Sequence, residues 1–509
     1  MMYRAFYVKH TFRILNRHGL LAPTRLALLT AVALVVSASI ALSQRSVIEA
    51  GFLSSGRDSH TWKARSTPLA ANLVKDIRPG ASGSSATSLK GVNGTLYFAA
   101  TDGERGVELW RSDGTEAGTA MVVDLLSGGS SYPSELMNLN GALLFASRAG
   151  ATNTGLWRSD GTPAGTSRLK DVGLTAGSFT ISGSVVFFVA ESSPDRHSLW
   201  RSDGSSEGTF QLKEIFIGST YPHGLYLTNV NGTLFFMGSS ASEGREIWRS
   251  DGTAAGTVLL SDLNPGERWS YVESLVNVNG TLFFVATNDT NYVRHLWKSD
   301  GTRAGTVIVK DGYSARFYLL SSLTNVAGTL FFVATTPPFG AELWKSDGTG
   351  VGTATVKDIN PGTGSSNPSG LASANGIVFF VGDDGVHGPE LWKSDGTVNG
   401  TVMVKDIRPG ASGSSPQHIT AVGSRGGIIF AADDGVHGSE LWQSDGTEAG
   451  TVLVQDIAPG ATVSYPSSFT IVWSTIYFVA DDGNSGPELW AIPAAGALDK
   501  LFLPVILPN

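Results

Sequence analysis

The sequence predicts an all-β fold, a β-propeller of about nine four-stranded antiparallel blades, and three observations carry that prediction. The first is a tryptophan that recurs at intervals of 43 to 50 residues, as Trp110, Trp157, Trp200, Trp248, Trp297, Trp344, Trp392, Trp442 and Trp490. The second is the density of hairpin signals. Asn-Gly begins at 93, 231, 279, 375 and 399, and Asp-Gly at 113, 160, 203, 251, 300, 347, 395 and 445, the dipeptides that best tolerate the positive φ of tight turns. The third is that four short segments fill each ~48-residue unit, the sequence pattern of a propeller blade.

One unit, read from Asn279, shows the four segments. Segment A, Thr281 to Ala286 (TLFFVA), is a continuous β-branched and aromatic run, as expected of a strand buried on both faces. Segment B, His295 to Ser299, surrounds the tryptophan, and Asp300-Gly301-Thr302 makes the turn into segment C, Thr306 to Asp311. Segment D, Ser322 to Val326, leads to the next hairpin. The array starts with C and D near residues 70 to 92 and ends with A and B near 476 to 492, so the incomplete ends complement each other. Pairing the last A and B strands with the first C and D strands closes a ring without a free inner edge. Nine blades exceed the usual four to eight, and the alternatives are an open β-solenoid or two smaller propellers. Trp62, 48 residues before Trp110, reads as a decayed tenth copy of the tryptophan segment.

Outside the array the chain has distinct ends. Residues 1–43 carry Arg4, Lys9, Arg13, Arg17 and Arg25, no acid, and the apolar run Leu26 to Leu42. That is the pattern of a signal peptide, with an uncleaved N-terminal anchor as the alternative and the only membrane contact expected. Residues 44–59 read as a linker, 60–492 as the repeat domain and 493–509 as an apolar, proline-broken tail. The expected localisation is exported, secreted or at the cell surface. Removing the leader's five positive charges takes the net charge from −8 to −13. An acidic chain excludes nucleic acid as a partner class, since phosphate binding needs clustered Lys and Arg. The absence of cysteine excludes disulfides, thiolate metal sites and a Cys nucleophile.

The recurring segment Glu-Leu-Trp-x-Ser-Asp-Gly-Thr-x-x-Gly-Thr, clearest at Glu108 to Thr119 and Glu440 to Thr451, resembles the ELWxxDGT repeat found as tandem arrays in exported bacterial proteins. The resemblance covers most of residues 60–492. It implies a propeller-like surface or secreted protein, and brings no agreed catalytic activity or catalytic residues. The chain departs from the pattern at Ser205, at Leu156, Leu199 and Leu296, which lack the preceding Glu, and at Ala491-Ile492-Pro493.

Candidate residues divide into repeated and variable ones. The nine tryptophans suit wedges packed between sheets, and the turn aspartates suit acceptors for backbone N–H groups two residues on. An acid closes segment C in all nine copies: Asp76, Asp124, Asp171, Glu214, Asp262, Asp311, Asp358, Asp406 and Asp456. It is expected to cap the following Pro-Gly turn or to pair, with the lysine before it, across blades. The A-to-B loops vary. Asp102, Glu104, Asp383, Asp384, Asp433, Asp434, Asp481 and Asp482 mark the loops of blades one, seven, eight and nine. In a closed ring these form one acidic arc, a candidate Ca²⁺ site; no other cofactor is expected. The scattered histidines form no HExxH, and no nucleophile elbow or P-loop is present. The function expected is a non-enzymatic binding or scaffold protein, monomeric, whose loops contact a surface protein or glycan. The alternatives are a Ca²⁺-dependent adhesion module and a carbohydrate-active hydrolase or lyase.

Overall fold

Two-residue turns fix the architecture because each folds a segment back on its neighbour before any long-range contact is needed. Asn93 and Gly94 both adopt positive φ (49° and 83°), so Val92 pairs with Thr95 and the hairpin register follows. The computed structural model describes residues 70–492 except 149–153, 175–178, 194–195, 218–225, 241, 243, 289–290 and 423–426. The leader, linker, Trp62 copy and C-terminal tail lie outside the described residues.

Nine antiparallel sheets form a nine-bladed β-propeller. In space each blade runs D–A–B–C. Blade one has D at Thr87–Val92, A at Thr95–Thr101, B at Val107–Ser112 and C at Ala120–Val123. Blade three adds a fifth short strand, Gly173–Leu174, beside its A strand. A single helical turn at Gly312–Ala315 is the one helix among the described residues.

The ring closes through blade nine, where C is Asn72–Lys75 and B is Pro487–Ile492, with Leu73 opposite Trp490. This refines the expected closure. The first C strand makes the closing hydrogen bonds, while the first D strand pairs with its own downstream A strand, because the Asn93-Gly94 turn forms that hairpin locally.

D strands line the channel and C strands form the outer rim. Successive D strands touch and exchange side-chain bonds: Asn277 donates to the Asn229 carbonyl (3.2 Å), Asn325 to that of Asn277 (3.0 Å) and Thr180 to that of Leu227 (2.9 Å). Rim strands are mostly four residues long and bulged. Leu109 faces Val123 and Trp110 faces Met121, which leaves Val122 unpaired and turned into the core. Short, bulged edges discourage pairing with another chain.

The core is a series of seams between adjacent sheets. Leu96, Phe98 and Trp110 of blade one pack with Val74, Ile77 and Leu489 of blade nine. Each B-strand tryptophan is such a wedge, though not to the same depth. Trp110, Trp248, Trp297, Trp344, Trp392, Trp442 and Trp490 are buried. Trp157 and Trp200, in blades without the Glu, depart from the uniform wedge and are only half-buried. Each indole lies beside a phenylalanine of its own A strand: Trp248 by Phe236 at 6.4 Å, Trp297 by Phe284 at 6.1 Å and Trp344 by Phe332 at 6.1 Å between ring centres. Phe317, which follows the helical turn of blade five, meets the Trp344 ring edge to face at 5.2 Å and so joins two blades. Lys213, Lys357 and Lys405 reach from one blade to the indole of the next, over Trp248, Trp392 and Trp442 at 5.2, 6.0 and 5.8 Å.

Candidate functional site

The topology sorts connections onto two faces. D-to-A and B-to-C hairpins lie on one, the turn face; A-to-B and C-to-D loops lie on the other, the loop face.

On the turn face, the repeated motif is spent on its own backbone. Asp113 Oδ1 accepts the Thr115 N–H (2.9 Å) and hydroxyl (2.7 Å), and Thr115 Oγ1 accepts from Gly118. Ser112 and Thr119 join through their hydroxyls at 2.7 Å. A Cβ at Gly118 would collide with the Asp113 carboxylate, which explains the second glycine of the motif. The Thr115 hydroxyl and N–H hold the Asp113 carboxyl below its ordinary range. The same bonds recur at Asp160, Asp203, Asp251, Asp300, Asp347, Asp395 and Asp445. In six blades the basic residue after the tryptophan ties its blade to the next: Arg111 donates to Gly161 O and Arg249 to Gly301 O, at 3.0 and 2.9 Å, and Arg158, Arg201, Lys298 and Lys393 make the equivalent bond.

On the loop face, the glutamate of the Glu-Leu-Trp segment has a role the sequence reading did not assign. Glu440 is fully buried and accepts from Ile457 N (2.8 Å), Ser464 N (3.1 Å) and Ser464 Oγ (2.6 Å). It therefore clamps the C-to-D loop of its own blade. Glu108, Glu342 and Glu390 do the same with Ser131, Ser366 and Ser414, and Glu488 with Ser84 across the closure. Burial raises the pKa of every one, and Glu246 reaches about 8. In blade five His295 takes the Glu position; it is buried and its Nδ1 accepts the Gly312 N–H at 3.0 Å.

The strand-end acids and lysines part company. Asp358 and Asp456 cap their Pro-Gly turns through Gly362 N and Gly460 N (3.1 and 3.3 Å), while Asp311 caps the helical turn. The lysines do cross to the next blade, but to carbonyls: Lys75 to Thr119 O, Lys213 to Thr257 O and Lys405 to Thr451 O.

Ring closure puts the four acidic loops on consecutive blades, yet the seven aspartates each accept a backbone N–H of their own loop, and Glu104 joins them only through its backbone N–H to Asp102. Asp384 Oδ1 accepts from Val386 N and His387 N, both 2.9 Å, and its Oδ2 meets His387 Nδ1 at 2.8 Å. Asp434 and His437 repeat this at 2.9, 2.9 and 2.7 Å. Burial pushes Asp384 upward, but these N–H groups and the imidazole outweigh it and hold its pKa low, while the Asp384 carboxylate raises that of His387. Asp383, Asp433 and Asp481 accept from Gly385 N, Gly435 N and Gly483 N. Arg408 from the neighbouring blade's C-to-D loop pairs with Asp433 at 2.6 Å. Asp482 accepts from Asn484 N and Ser485 N, and Asp102 from Glu104 N and Arg105 N. Among the described residues no three acidic or His side chains group to hold a metal ion.

At the seam of blades four and five lies a cluster that sequence reasoning missed. Trp269 and Tyr271, in the loop after strand C of blade four, stack edge to face at 5.8 Å and 60°. Tyr271 meets Tyr292, in the A-to-B loop of blade five, at 5.5 Å and 78°. All three are exposed. The Arg245 guanidinium lies over the Trp269 ring at 4.0 Å, and Arg294 pairs with Glu273 at 2.5 Å. A signal was present: Trp269 is a tryptophan out of register, where other copies have Gly83, Ser130, Ser365, Gly413 and Val463.

No family model matches the chain and no curated protein matches it. Solved structures similar to it include peptidases. One is a prolyl endopeptidase (12% identity, TM-score 0.37, covering 70% of this chain and 54% of that one). Another is oligopeptidase B from Leishmania major (11%, 0.41, 69% and 54%). A third is the β-propeller domain of the trilobed protease from Pyrococcus furiosus, which has an open velcro topology (12%, 0.32, 62% and 96%). The chain thus spans about half the length of the first two. At these identities and TM-scores the likeness carries nothing about what this chain does.

Proposed function

We propose that the chain is an exported, non-enzymatic binding scaffold that meets a cell-surface, glycan or protein ligand with its loop face. One observation carries this reading. The polar residues present in most blades bond to backbone or to each other, whereas the acidic loops and the aromatic seam, two features that differ between blades, share one face. Variable loops on a rigid frame are the usual seat of recognition. Catalysis would single out a carboxylate pair with unlike environments, and the buried glutamates instead repeat one environment around the ring. Export rests on the basic-then-apolar pattern of residues 1–43.

The test has two parts. Fractionation of the producing cell should recover the chain outside the cytoplasmic membrane. Purified chain should bind the cell envelope, and replacing the loops of blades four to six with those of blade seven should remove that binding while altered turn-face residues leave it intact. Retention of binding by the loop replacement, or turnover of a polysaccharide panel, overturns the reading. A rise in Tm with Ca²⁺ that Asp384→Asn and Asp434→Asn abolish would favour the Ca²⁺-dependent form.

A further inference from the structure

We propose that the Trp269–Tyr271–Tyr292 array is a subsite for the pyranose rings of a neutral glycan, an assignment that rests on the loop-face reading above and names its ligand. The repeat does not need these rings, because other blades build the same loops with glycine, serine or valine at the Trp269 position. Contiguous aromatic surface left in water marks a binding site in a soluble protein.

The array is built rigidly. Ser270 donates to the Arg245 carbonyl through its N–H (3.0 Å) and its hydroxyl (2.9 Å), and Thr287 N donates to Ser270 O at 2.6 Å. Asn264 Nδ2 holds the Trp269 carbonyl at 3.2 Å, and Glu246 takes Leu263 N at 2.8 Å. Gly244, at φ 67°, lets the two loops close up, since a Cβ there would strike the Arg268 carbonyl. The backbone that carries Trp269 and Tyr271 is therefore held in place, and a ligand meets little ordering cost on that side of the array.

The chemistry of the rim selects the ligand class. Ring planes at 60° and 78° to one another offer flat apolar faces in different directions, which suits the C–H faces of successive sugar rings better than one planar ligand. The Arg245 guanidinium covers one face of Trp269. The Arg294–Glu273 pair supplies donors and acceptors for hydroxyls, while its carboxylate disfavours a polyanion and its guanidinium a polycation. A chain of net charge −8 repels acidic polysaccharides further. A protein partner would require a broader apolar centre than three rings beside an ion pair.

Affinity electrophoresis of the full chain through mixed-linkage glucan, xylan, galactomannan, dextran and alginate tests the assignment. At least one neutral polysaccharide should retard the chain, and alginate should not. Trp269→Ala and Tyr292→Ala should each weaken that binding about tenfold at unchanged Tm, with Trp473→Ala, on the turn face, as the neutral control. Undiminished retardation of Trp269→Ala and Tyr292→Ala overturns the subsite but leaves the loop-face reading standing. Envelope binding that depends on the loop face without retardation by any neutral polysaccharide overturns the glycan class, with a protein ligand in its place. Loss of envelope binding and glycan binding in the native chain overturns both.

Discussion

Glu440 receives the Ser464 hydroxyl at 2.6 Å, 24 residues further along the chain, with both side chains buried. One bond thus joins the start of strand B to the end of the loop that leaves the blade.

Ser464→Ala should destabilise the protein by about 2 kcal/mol, the scale of a hydrogen bond to a charged group. Glu440→Ala should cost more, about 3 kcal/mol, because it strands the buried N–H groups of Ile457 and Ala458. Denaturant unfolding measures both. Hydrogen exchange should show faster opening of residues 457–464 in either variant, with the loop of blade seven unaffected.

Stability should fall as pH rises from about 4.5 towards 8. The folded state keeps a proton on Glu246, whose pKa is about 8 against an ordinary 4.5, and the unfolded chain has already released it. The other clamp glutamates shift the same way. Turn aspartates such as Asp113 and Asp251 act oppositely: their lowered pKa values stabilise the fold above the ordinary carboxylate range, and this is lost as pH falls. Melting temperatures across pH 3 to 9 should peak in the mildly acidic range, and Glu246→Gln should flatten the alkaline side.

His387 and His437 should titrate above the ordinary imidazole value in an NMR titration, since each hydrogen-bonds a carboxylate three residues earlier. Asp434→Asn should return His437 towards that value and leave His387 in place. The pair's contribution is complete below the ordinary value and disappears as pH passes the raised one.

A chain begun at residue 77 loses strand C of blade nine, with buried Val74 and the Lys75–Thr119 bond. It should melt at a lower temperature and self-associate in light scattering, because strand B at Pro487–Ile492 is left as a bare edge. A chain begun at residue 70, which keeps strand C of blade nine, should not show this added self-association.

Trp473 sits at φ 53° in a turn where equivalent positions have Asn93, Asn231 and Asn279. It is 80% exposed and lies against Gly94. Replacing Trp473-Ser474 with Asn-Gly should stabilise the fold by about 1 kcal/mol by relieving left-handed strain on a bulky residue. A lower Tm in that double variant would show that the indole's contact with Gly94 outweighs the strain.

Local chemistry explains what was legible in the sequence. Strand A at Thr281–Ala286 and strand B at His295–Ser299 match the predicted bounds residue for residue, because apolar runs ending at Gly-containing turns leave little freedom of register. The Asp113–Thr115 bond was legible too, since donor and acceptor lie two residues apart. Glu440 and Ser464 were not: the partners are 24 residues apart, and each alone reads as an ordinary polar residue. Their signal lies in joint occurrence, for where His295 replaces Glu, Tyr318 stands at the serine position. The aromatic seam was hidden because Trp269, Tyr271 and Tyr292 come from two loops that only blade packing brings together.

The bonds from Arg111 to Gly161, from Arg158 to Gly204 and from Lys405 to Thr451 all run from one blade to its successor. Every junction therefore has a head and a tail that differ, like a link in a one-way chain. Such links close on themselves only when the turn per unit divides the circle; otherwise they propagate. A gene that lost one blade by recombination would encode an arc with unsatisfied ends that fit each other in separate copies. The product to expect is a head-to-tail polymer rather than a smaller ring, so the blade number is protected by assembly as well as by stability.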